Sequence, residues 1–575
     1  MALNKAAPKY DLIEQQREAK LGPNYKWIAL SNTTLGVLMA TIDSSILIIS
    51  LPAIFNGLGV NPLTPGNITL LLWLLLGYII MSSVVVVTIG RLSDMFGRVK
   101  LYNLGFAIFA IGSSALYIIS YVFTGTFAVL MLIIFRLIQG FGGGFLFANS
   151  TAILTDAFPQ NQRGTAMGIN QISAIIGSVV GLIIGGVLSA IDWHLIFLIS
   201  VPVGILGAIW SYIALYEIAT IKKKQKIDIL GNITFALSLT LILLSMTYGL
   251  LPFEGSSIGW SNPYVLSGLA FGILLMIIFV FIELRAKDPM FHLGLFKIRA
   301  FFAGILSLFL AGIARGGLQF MLIIWLQGIW LPLHGVNFTN TPLQAGIDLI
   351  PLLLGFLAMG PISGHLSDRY GARLFSTLGM VINVVGFLLL ATLPVNFNYI
   401  IFAGIIFMLG VGQGMFAAPN TTSVMNAVPP EQRGATSGMR ATFMNISFMF
   451  SIIIFFSVLV FGFSTGLPSA LYNGLVAQNV PASVATSISK LPPTSALFAA
   501  LLGYNPMQTL LPKNVTAIIP KANLDIIVGT SFFPNIISGS FINGMHSVLI
   551  VAAIMALIAA LASALRGKKY VHSNK

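Results

Sequence analysis

Two charged stretches of this chain each occur twice. The stretch GRLSDMFGR at 90–98 returns as GHLSDRYGA at 364–372, a shift of 274 residues. Likewise FPQNQRGTAMG at 158–168 returns as VPPEQRGATSG at 428–438, a shift of 270 residues. Each copy lies between long apolar segments. A membrane protein that repeats charged loops in this way is predicted to contain two homologous helical bundles in the same orientation.

The chain is apolar enough to cross a bilayer many times. Of its 575 residues, 57% are hydrophobic and 8% are charged, against about 25% charged residues in a soluble domain. A spanning helix needs about 20 mostly apolar residues. Fourteen segments meet that requirement: 27–51, 69–90, 101–122, 127–150, 165–190, 195–216, 229–250, 264–284, 300–330, 343–363, 374–394, 399–420, 434–462 and 541–566.

The 30 Lys and Arg residues are distributed unevenly about these segments. If the N-terminus is cytoplasmic, 24 of them fall in cytoplasmic segments, three lie within helices, and three fall outside, namely Lys490, Lys513 and Lys521. Basic loops stay on the cytoplasmic side of a membrane, so we expect both termini in the cytoplasm. The same rule accounts for the net charge of +14 without a nucleic-acid partner.

The repeat and the segments together predict the domain organisation. Helices 1–6 match helices 9–14, so helices 7 and 8 are an inserted pair. We expect the long outer stretch before helix 14 to form a helical hairpin over the outer mouth, with an irregular loop as the alternative. The predicted fold is an all-α integral membrane protein with two six-helix bundles and two inserted helices. Its parts are a cytoplasmic segment at 1–26, a bundle at 27–216, the inserted pair with linkers at 217–299, a bundle at 300–566 that includes the outer segment 463–540, and a cytoplasmic tail at 567–575.

No metal site and no cofactor is expected. The chain has no cysteine, and its six histidines are scattered without the spacing of metal ligands. The stretch GFGGGF at 140–145 lacks the Lys-Ser/Thr of a phosphate-binding loop and lies within a predicted span. These glycines are therefore expected to pack helices together, and no nucleotide-driven activity is predicted.

Four motifs in order resemble those of the major facilitator superfamily, and more narrowly its fourteen-helix drug:proton antiporters. GRLSDMFGRVK at 90–100 resembles the loop between helices 2 and 3, and TIDSSILIISLP at 41–52 resembles the helix 1 signature. RLIQGFGGG at 136–144 resembles the helix 4 motif, and WHLIFLISVPVG at 193–204 the turn between helices 5 and 6. The resemblance implies a secondary transporter of the plasma membrane whose bundles rock about a central site.

The charged loop has the residues of a gate. Gly90 and Gly97 permit a tight turn and a close backbone approach, and Arg98 can hold the helix end at the headgroups. By the resemblance, Asp94 makes charge contacts that keep the inner gate closed, and Asp368 is its counterpart in the second copy. The alternative is a solvated turn in which the aspartate only caps a helix.

Helix 5 departs from the antiporter pattern at one position. Antiporters of this kind have Gly-Pro in its middle, whereas Gly181 is followed here by Leu182. Gly177, Gly181 and Gly185 keep the four-residue spacing that lets helices approach closely. A packing role is therefore expected to survive, while antiport and symport both stay open.

Five charged residues lie in the interior of predicted spans, away from the span ends, where a charge is costly and marks a functional site. Asp43 lies about 12 Å and Arg136 about 14 Å from the outer ends of helices 1 and 4, so the two could meet. Asp348 on helix 10 and Arg315 on helix 9 form a second candidate pair at less well matched depths. We expect both pairs to couple protons to transport, with an ion pair that only fixes packing as the alternative. Arg440 is close enough to the inner end of helix 13 to reach the interface.

The expected substrate cavity lies at the depth of Asp43. Asn32 belongs to a small and polar stripe on helix 1, and the candidate lining adds Met39, Phe147 and Met415. An apolar pocket with adaptable methionines tolerates varied ligands, and an acid among them would favour cations. The predicted partners are therefore lipophilic or cationic small molecules, protons and the lipid bilayer.

The predicted function is ion-gradient-driven efflux of such molecules. A carrier of one specific metabolite or nutrient, by symport or uniport, is the nearer alternative because of Leu182. A non-transporting membrane receptor on the same fold is the more distant alternative, and it would be expected to lack the intramembrane charges.

Overall fold

The structure is a computed structural model of the chain. It describes residues 22, 24–61, 66–159, 162–218, 228–256, 258–286, 289, 291–338, 340–429 and 432–567. Most of the N-terminal segment, most of the lysine-rich linker 217–228 and most of the C-terminal tail lie outside the described residues.

Fourteen membrane-spanning helices, α1–α14, account for most of the described chain, and the predicted all-α fold class is confirmed. Each of the fourteen apolar segments overlaps one helix, because a spanning backbone must satisfy its own hydrogen bonds. The helices are α1 Tyr25–Gly57, α2 Asn67–Phe96, α3 Arg98–Val122, α4 Gly125–Ala157, α5 Arg163–Ile191, α6 Leu195–Ala214, α7 Ile229–Tyr248, α8 Pro263–Arg285, α9 Arg299–Leu333, α10 Thr341–Tyr370, α11 Ala372–Leu390, α12 Tyr399–Asn426, α13 Arg433–Val476 and α14 Phe532–Ala564.

The two bundles repeat their close helix contacts as well as their loops. In the first bundle, a Cβ on Gly142 of α4 would lie 2.7 Å from the Phe109 nitrogen and 3.0 Å from the Gly105 oxygen of α3. In the second bundle, a Cβ on Gly412 of α12 would lie 2.6 Å from the Gly379 oxygen of α11. The shifts of 270 and 274 residues relate these two contacts. A side chain at either glycine would push neighbouring backbones apart.

The inserted pair α7–α8 lies beside the two bundles and contacts both. Thr88 of α2 donates a hydrogen bond to the Asn232 side chain of α7 at 2.6 Å. Trp260, in the connection between α7 and α8, donates to Ser457 of α13 at 3.1 Å. Of the spans in the described part of the chain, α8 is the least buried, as expected for a helix that faces lipid.

The segment between α13 and α14 differs from the predicted hairpin. α13 continues to Val476 and α14 begins at Phe532, so both helices extend beyond the predicted apolar segments. Between them lie five short helices: Ala482–Ile488, Pro493–Leu501, Met507–Leu510, Lys513–Thr516 and Lys521–Val528. Frequent prolines, each unable to continue a helix, keep these pieces short. We call residues 477–531 the cap, the end of the molecule that carries it the cap side, and the opposite end, which carries the repeated loops, the loop side.

Candidate functional site

A cavity of about 240 Å³ lies between the two bundles. It is lined by α1, α2, α4 and α5 from the first bundle and by α9, α10, α12 and α13 from the second. Phe498 of the cap reaches it from the cap side. Its aromatic lining is Tyr78, Phe147, Phe320, Phe448, Phe456 and Phe498, and its amide lining is Asn170, Gln171, Gln319, Gln413 and Asn445.

Two arginines are the charged side chains that line the cavity in the described part of the chain. Arg315 of α9 has no hydrogen-bond or ion-pair partner among the described residues. Arg440 of α13 is 4% exposed and donates through Nη2 to Thr151 Oγ1 of α4 at 2.8 Å. The expectation that Arg440 reaches the membrane interface is wrong. It lies seven residues into α13, about 10 Å from the helix start, on the face that meets the first bundle.

One of the four predicted cavity residues lines the cavity, namely Phe147. Asn32 instead donates to the Gly207 oxygen of α6 at 3.5 Å, and Met39 is 1% exposed with its sulfur beside Gly204 of α6. Met415 packs against α11. The polar stripe of α1 therefore faces its own bundle. The residues of α1 that do line the cavity are Val37, Thr41, Ser44, Ser45 and Ile48.

Sequence reasoning missed the amide side chains of the lining, and one signal could have found them. Gln413 and Asn445 lie within apolar spans, where an uncharged polar side chain needs a partner or a wet surface. The distance of each residue from the end of its helix can be read from the sequence. The sequence does not show which side of the helix meets the other bundle.

Asp43 lies in a buried cluster formed by α1, α4, α6 and α3. Arg136 donates to its Oδ2, while Gln139 Nε2 donates to its Oδ1 at 2.7 Å and Ser200 does so at 3.4 Å. Gln139 also donates to Ser113 at 2.7 Å. Asp43 and Arg136 are each 1% exposed. Depth counting along the helices thus predicted the meeting of this pair.

Tyr78 stands between this cluster and the cavity. Its ring lines the cavity and lies over the Arg136 guanidinium, with Cζ 4.8 Å from the ring centroid. Asp43 itself does not line the cavity, so the expectation of an acid among the lining residues is wrong. The carboxylate is held on the far side of the Tyr78–Arg136 stack.

Asp348 and Arg315 do not form the predicted pair. Asp348 ends the first segment of α10 on the cap side, where its Oδ1 accepts from Gln344 at 3.0 Å and its Oδ2 has no partner. No ion pair joins it to Arg315, which lines the cavity instead. Asp348 lies outside the lining. The less well matched depths of the two residues were already visible in the sequence.

The end of α2 and the start of α3 join the two bundles on the loop side. Asp94 accepts from Arg98 at 2.8 Å and, across the bundles, from the Ala435 backbone N–H of α13 at 2.9 Å. Arg98 also pairs with Asp156 of α4. The first turn of a helix presents free N–H groups and a partial positive charge. Asp94 therefore places a carboxylate at the N-terminus of α13.

The glycines of residues 90–98 have different roles, because Gly97 joins α2 to α3 whereas Gly90 lies within α2 and not in the expected turn. Gly97 has φ of 107° and its counterpart Gly371 has φ of 87°, values that disfavour any residue with a side chain. Gly90 lies where α13 crosses α2, and a Cβ on Gly438 would be 3.4 Å from its Cα. Asp368 lies in the last turn of α10, three residues before Gly371.

Near the start of α3, a carboxyl of the linker joins the cluster. The Glu217 carboxyl accepts from the Val99 backbone N–H at 2.9 Å. Burial raises the pKa of Glu217 above its usual range. This end of α3 is therefore held from two sides.

The three spaced glycines of α5 all face α1. A Cβ on Gly177, Gly181 or Gly185 would lie 2.8, 2.6 or 3.0 Å from a carbonyl oxygen of α1. This close approach needs no proline in the middle of α5. Leu182 is fully buried and touches Gly346 of α10, so it packs between the two bundles.

The bundles touch on both sides of the cavity. On the loop side, Arg163 of α5 donates to Asn426 of α12 at 3.0 Å, in addition to the Asp94 contact. On the cap side, a Cβ on Gly186 of α5 would lie 2.7 Å from the Leu343 Cα of α10. Gln327 of α9 donates to the Leu501 oxygen of the cap at 3.1 Å. The cavity thus lies between two sets of contacts.

Two six-helix bundles that enclose an aromatic and polar cavity, with a buried ion pair beside it, define a membrane transport protein. The chain belongs to the Major Facilitator Superfamily, whose profile matches residues 33–314 and 222–452. The family resemblance expected from the motifs is confirmed.

Relatives include both a vitamin transporter and a multidrug transporter. The chain is 31% identical to the riboflavin transporter RibZ of Clostridioides difficile over 442 residues, covering 75% of this chain and 88% of that protein. It is 24% identical to the multidrug transporter protein MdtP of Bacillus subtilis over 546 residues, covering 93% and 91%. Among solved structures it is similar to the proton:xylose symporter XylE, with a TM-score of 0.54 and 15% identity, covering 85% and 96%. That last likeness concerns the fold alone.

Proposed function

We propose that the protein is a proton-driven secondary transporter of the plasma membrane that exports small molecules with an apolar body. The observation that carries the proposal is the buried Asp43–Arg136 pair, which lies behind the wall of the cavity. An ionisable acid within a span is costly and is retained where it does work. Separation from the cavity lets the acid bind a proton without contacting the substrate directly.

The proposed coupling uses the partners of Asp43. When Asp43 is ionised, Arg136 and Gln139 hold it and favour the charged form. When it is protonated, the attraction to Arg136 is lost, and the stack of Arg136 on Tyr78 can shift. Tyr78 contacts the Asp43–Arg136 pair and also lines the cavity. Protonation of Asp43 and binding of substrate can therefore both act on the position of Tyr78. Rocking of the bundles would open Asp43 to each side in turn.

A proton gradient can supply the driving force for export. A membrane potential of 100 mV is worth about 2.3 kcal/mol for each charge moved. Since about 1.4 kcal/mol is a tenfold change in an equilibrium constant, one proton supports roughly fifty-fold accumulation. The test is to reconstitute the purified protein in liposomes, impose a pH gradient and follow riboflavin, rhodamine 6G and fluorescein. At least one should accumulate against its own gradient, and a protonophore should abolish that. Passive equilibration of all three with the gradient intact would refute proton coupling.

The orientation belongs to the proposal. We place the loop side and both termini in the cytoplasm because of the distribution of basic residues. The chain has no cysteine, so single cysteines can be placed at the exposed positions Lys490 in the cap and Arg373 at the loop side. A maleimide that cannot cross membranes should label the Lys490→Cys protein in intact cells and leave the Arg373→Cys protein unlabelled. The reverse pattern would invert the orientation and turn export into import.

Transport of one specific metabolite is the second candidate, and the 31% identity to a riboflavin transporter favours it. The five amides of the lining offer donors and acceptors suited to a hydroxylated substrate. The liposome experiment separates the two candidates. Uphill movement of riboflavin alone would favour the specific carrier, and uphill movement of several dyes would favour the multidrug type.

A further inference from the structure

The charges that face the cavity are all of one sign in the described part of the chain. Arg315 and Arg440 line it, and no Asp or Glu of that part does. Asp43 is neutralised by Arg136 outside the lining, and Asp348 lies on the cap side of α10. An empty cavity of this kind therefore carries two positive charges without a counter-ion.

A guanidinium that faces an enclosed apolar cavity is costly unless an anion or several acceptors meet it. Arg315 has no hydrogen-bond or ion-pair partner among the described residues. Arg440 has one neutral acceptor, the Thr151 hydroxyl, and its Nε has none. Both side chains come from the second bundle. A ligand that supplies the missing acceptors would lower the cost of burying them.

Three side chains of the lining also hold polar groups without a partner. Arg440 Nε, Gln413 Nε2 and the Tyr78 hydroxyl are buried beside the cavity, and each can donate a hydrogen bond. A cationic ligand would need acceptors at these positions. An oxyanion, by contrast, offers several lone pairs to arginine and amide donors at once.

The apolar surface of the cavity includes several aromatic rings. Phe147 and Phe320 lie in its wall, as do Phe448 and Phe456 of α13, and Phe498 lines it from the cap. Rings of this kind bury an apolar or aromatic body and leave few contacts for a small inorganic ion. The cavity combines such a surface with the two arginines.

We infer that the cavity binds organic anions, meaning molecules with an apolar or aromatic body and a carboxylate, sulfonate or phosphate group that Arg315 and Arg440 hold. This inference rests on the proposed function only in taking the cavity for the transport site, and it replaces the sequence-based preference for cations. Under the proposed orientation, an inside-negative potential of 100 mV would favour expulsion of each negative charge by roughly fifty-fold.

The test compares probes that differ mainly in charge. Fluorescein and rhodamine 6G share a xanthene scaffold and are anionic and cationic, and riboflavin and its 5′-phosphate differ by one phosphate. Binding to the purified full-length protein is measured by fluorescence polarisation. The anionic member of each pair should bind at least tenfold more tightly. Tighter binding of rhodamine 6G, or equal binding of riboflavin and its phosphate, would overturn the inference.

Variants assign the effect to the two arginines. Arg315→Gln and Arg440→Gln should each weaken fluorescein binding by about ten- to a hundredfold, the range for losing a charge-assisted hydrogen bond. Arg315→Lys and Arg440→Lys keep the charge and should lose less. Arg373→Gln removes an exposed arginine outside the cavity and should change nothing. Fluorescein affinity that survives both glutamine substitutions would overturn the assignment.

The anion site and the proposed function can be refuted independently of each other. Binding of anions without gradient-driven transport would refute proton coupling and leave the anion site in place. Gradient-driven transport of riboflavin or rhodamine 6G by a protein that rejects anions would refute the anion site and leave proton coupling in place. Should the glutamine variants unfold, the lysine variants and the paired probes on the unaltered protein still decide the question.

Discussion

Replacement of Asp43 by asparagine separates a coupling role of the Asp43–Arg136 pair from a packing role. Asparagine keeps the size of the side chain and an oxygen for Gln139, which donates to Oδ1 at 2.7 Å. It removes the titratable group and the counter-charge of Arg136. If Asp43 carries the proton, Asp43→Asn should abolish accumulation driven by a pH gradient.

The cost to stability follows from what remains around Arg136. Leaving a buried charge without its partner costs about 3–5 kcal/mol. Arg136 is 1% exposed, but it keeps Gln139 Oε1 at 2.5 Å and the face of Tyr78 at 4.8 Å. A cation–π contact is worth about 0.5–2 kcal/mol. We therefore expect Asp43→Asn to lower the free energy of unfolding by about 2–4 kcal/mol.

The double variant Asp43→Asn, Arg136→Gln provides the control. It removes both charges, so the uncompensated guanidinium is gone, and replacement of a buried ion pair by neutral groups is often close to neutral for stability. Thermal unfolding should show recovery of most of the loss. Transport in liposomes, measured with and without a pH gradient, should still show no uphill accumulation.

A different result is expected if the Asp43–Arg136 pair only fixes packing. In that case the double variant would recover both its unfolding temperature and its gradient-driven transport. A folded double variant that accumulates substrate to the level of the unaltered protein would remove Asp43 from the coupling mechanism. Asp348 would then be the next acid to test.

Two further predictions concern packing and the loop side. Gly412→Ala should destabilise the protein by about 1–3 kcal/mol in thermal unfolding, because its Cβ would lie 2.6 Å from a backbone oxygen of α11. Gly404→Ala on the same helix meets open space and should be neutral or stabilising by up to about 1 kcal/mol, so equal losses would contradict the close-contact argument. Asp94→Ala removes the acceptor of the Ala435 N–H, and hydrogen exchange in the first turn of α13 should rise by about ten- to a hundredfold. Unchanged exchange there would show that Asp94 does not hold the two bundles together.

Much of the architecture was readable from the sequence because the bilayer imposes a length. A span must satisfy its backbone internally over about 30 Å, so each apolar segment predicts one helix. Depth follows in the same way, since each helical residue advances about 1.5 Å. The matched depths of Asp43 and Arg136 therefore predicted their meeting. The repeated charged stretches likewise predicted two homologous bundles.

The direction in which each helix faces was decided only by the tertiary structure. Asn32, Met39 and Met415 were expected in the cavity and pack within their own bundles, whereas Arg440 was expected at the interface and lines the cavity. Period and depth describe a position on a single helix and do not say which neighbour will cover it. The neighbour that covers a given side depends on which helices cross at close range. It also depends on the position of the cap, whose Phe498 lines the cavity. The sequence by itself determined the number, the length and the repeat of the spans, and tertiary packing decided which charges face the cavity, because a helix side has no defined surroundings until its partners are in place.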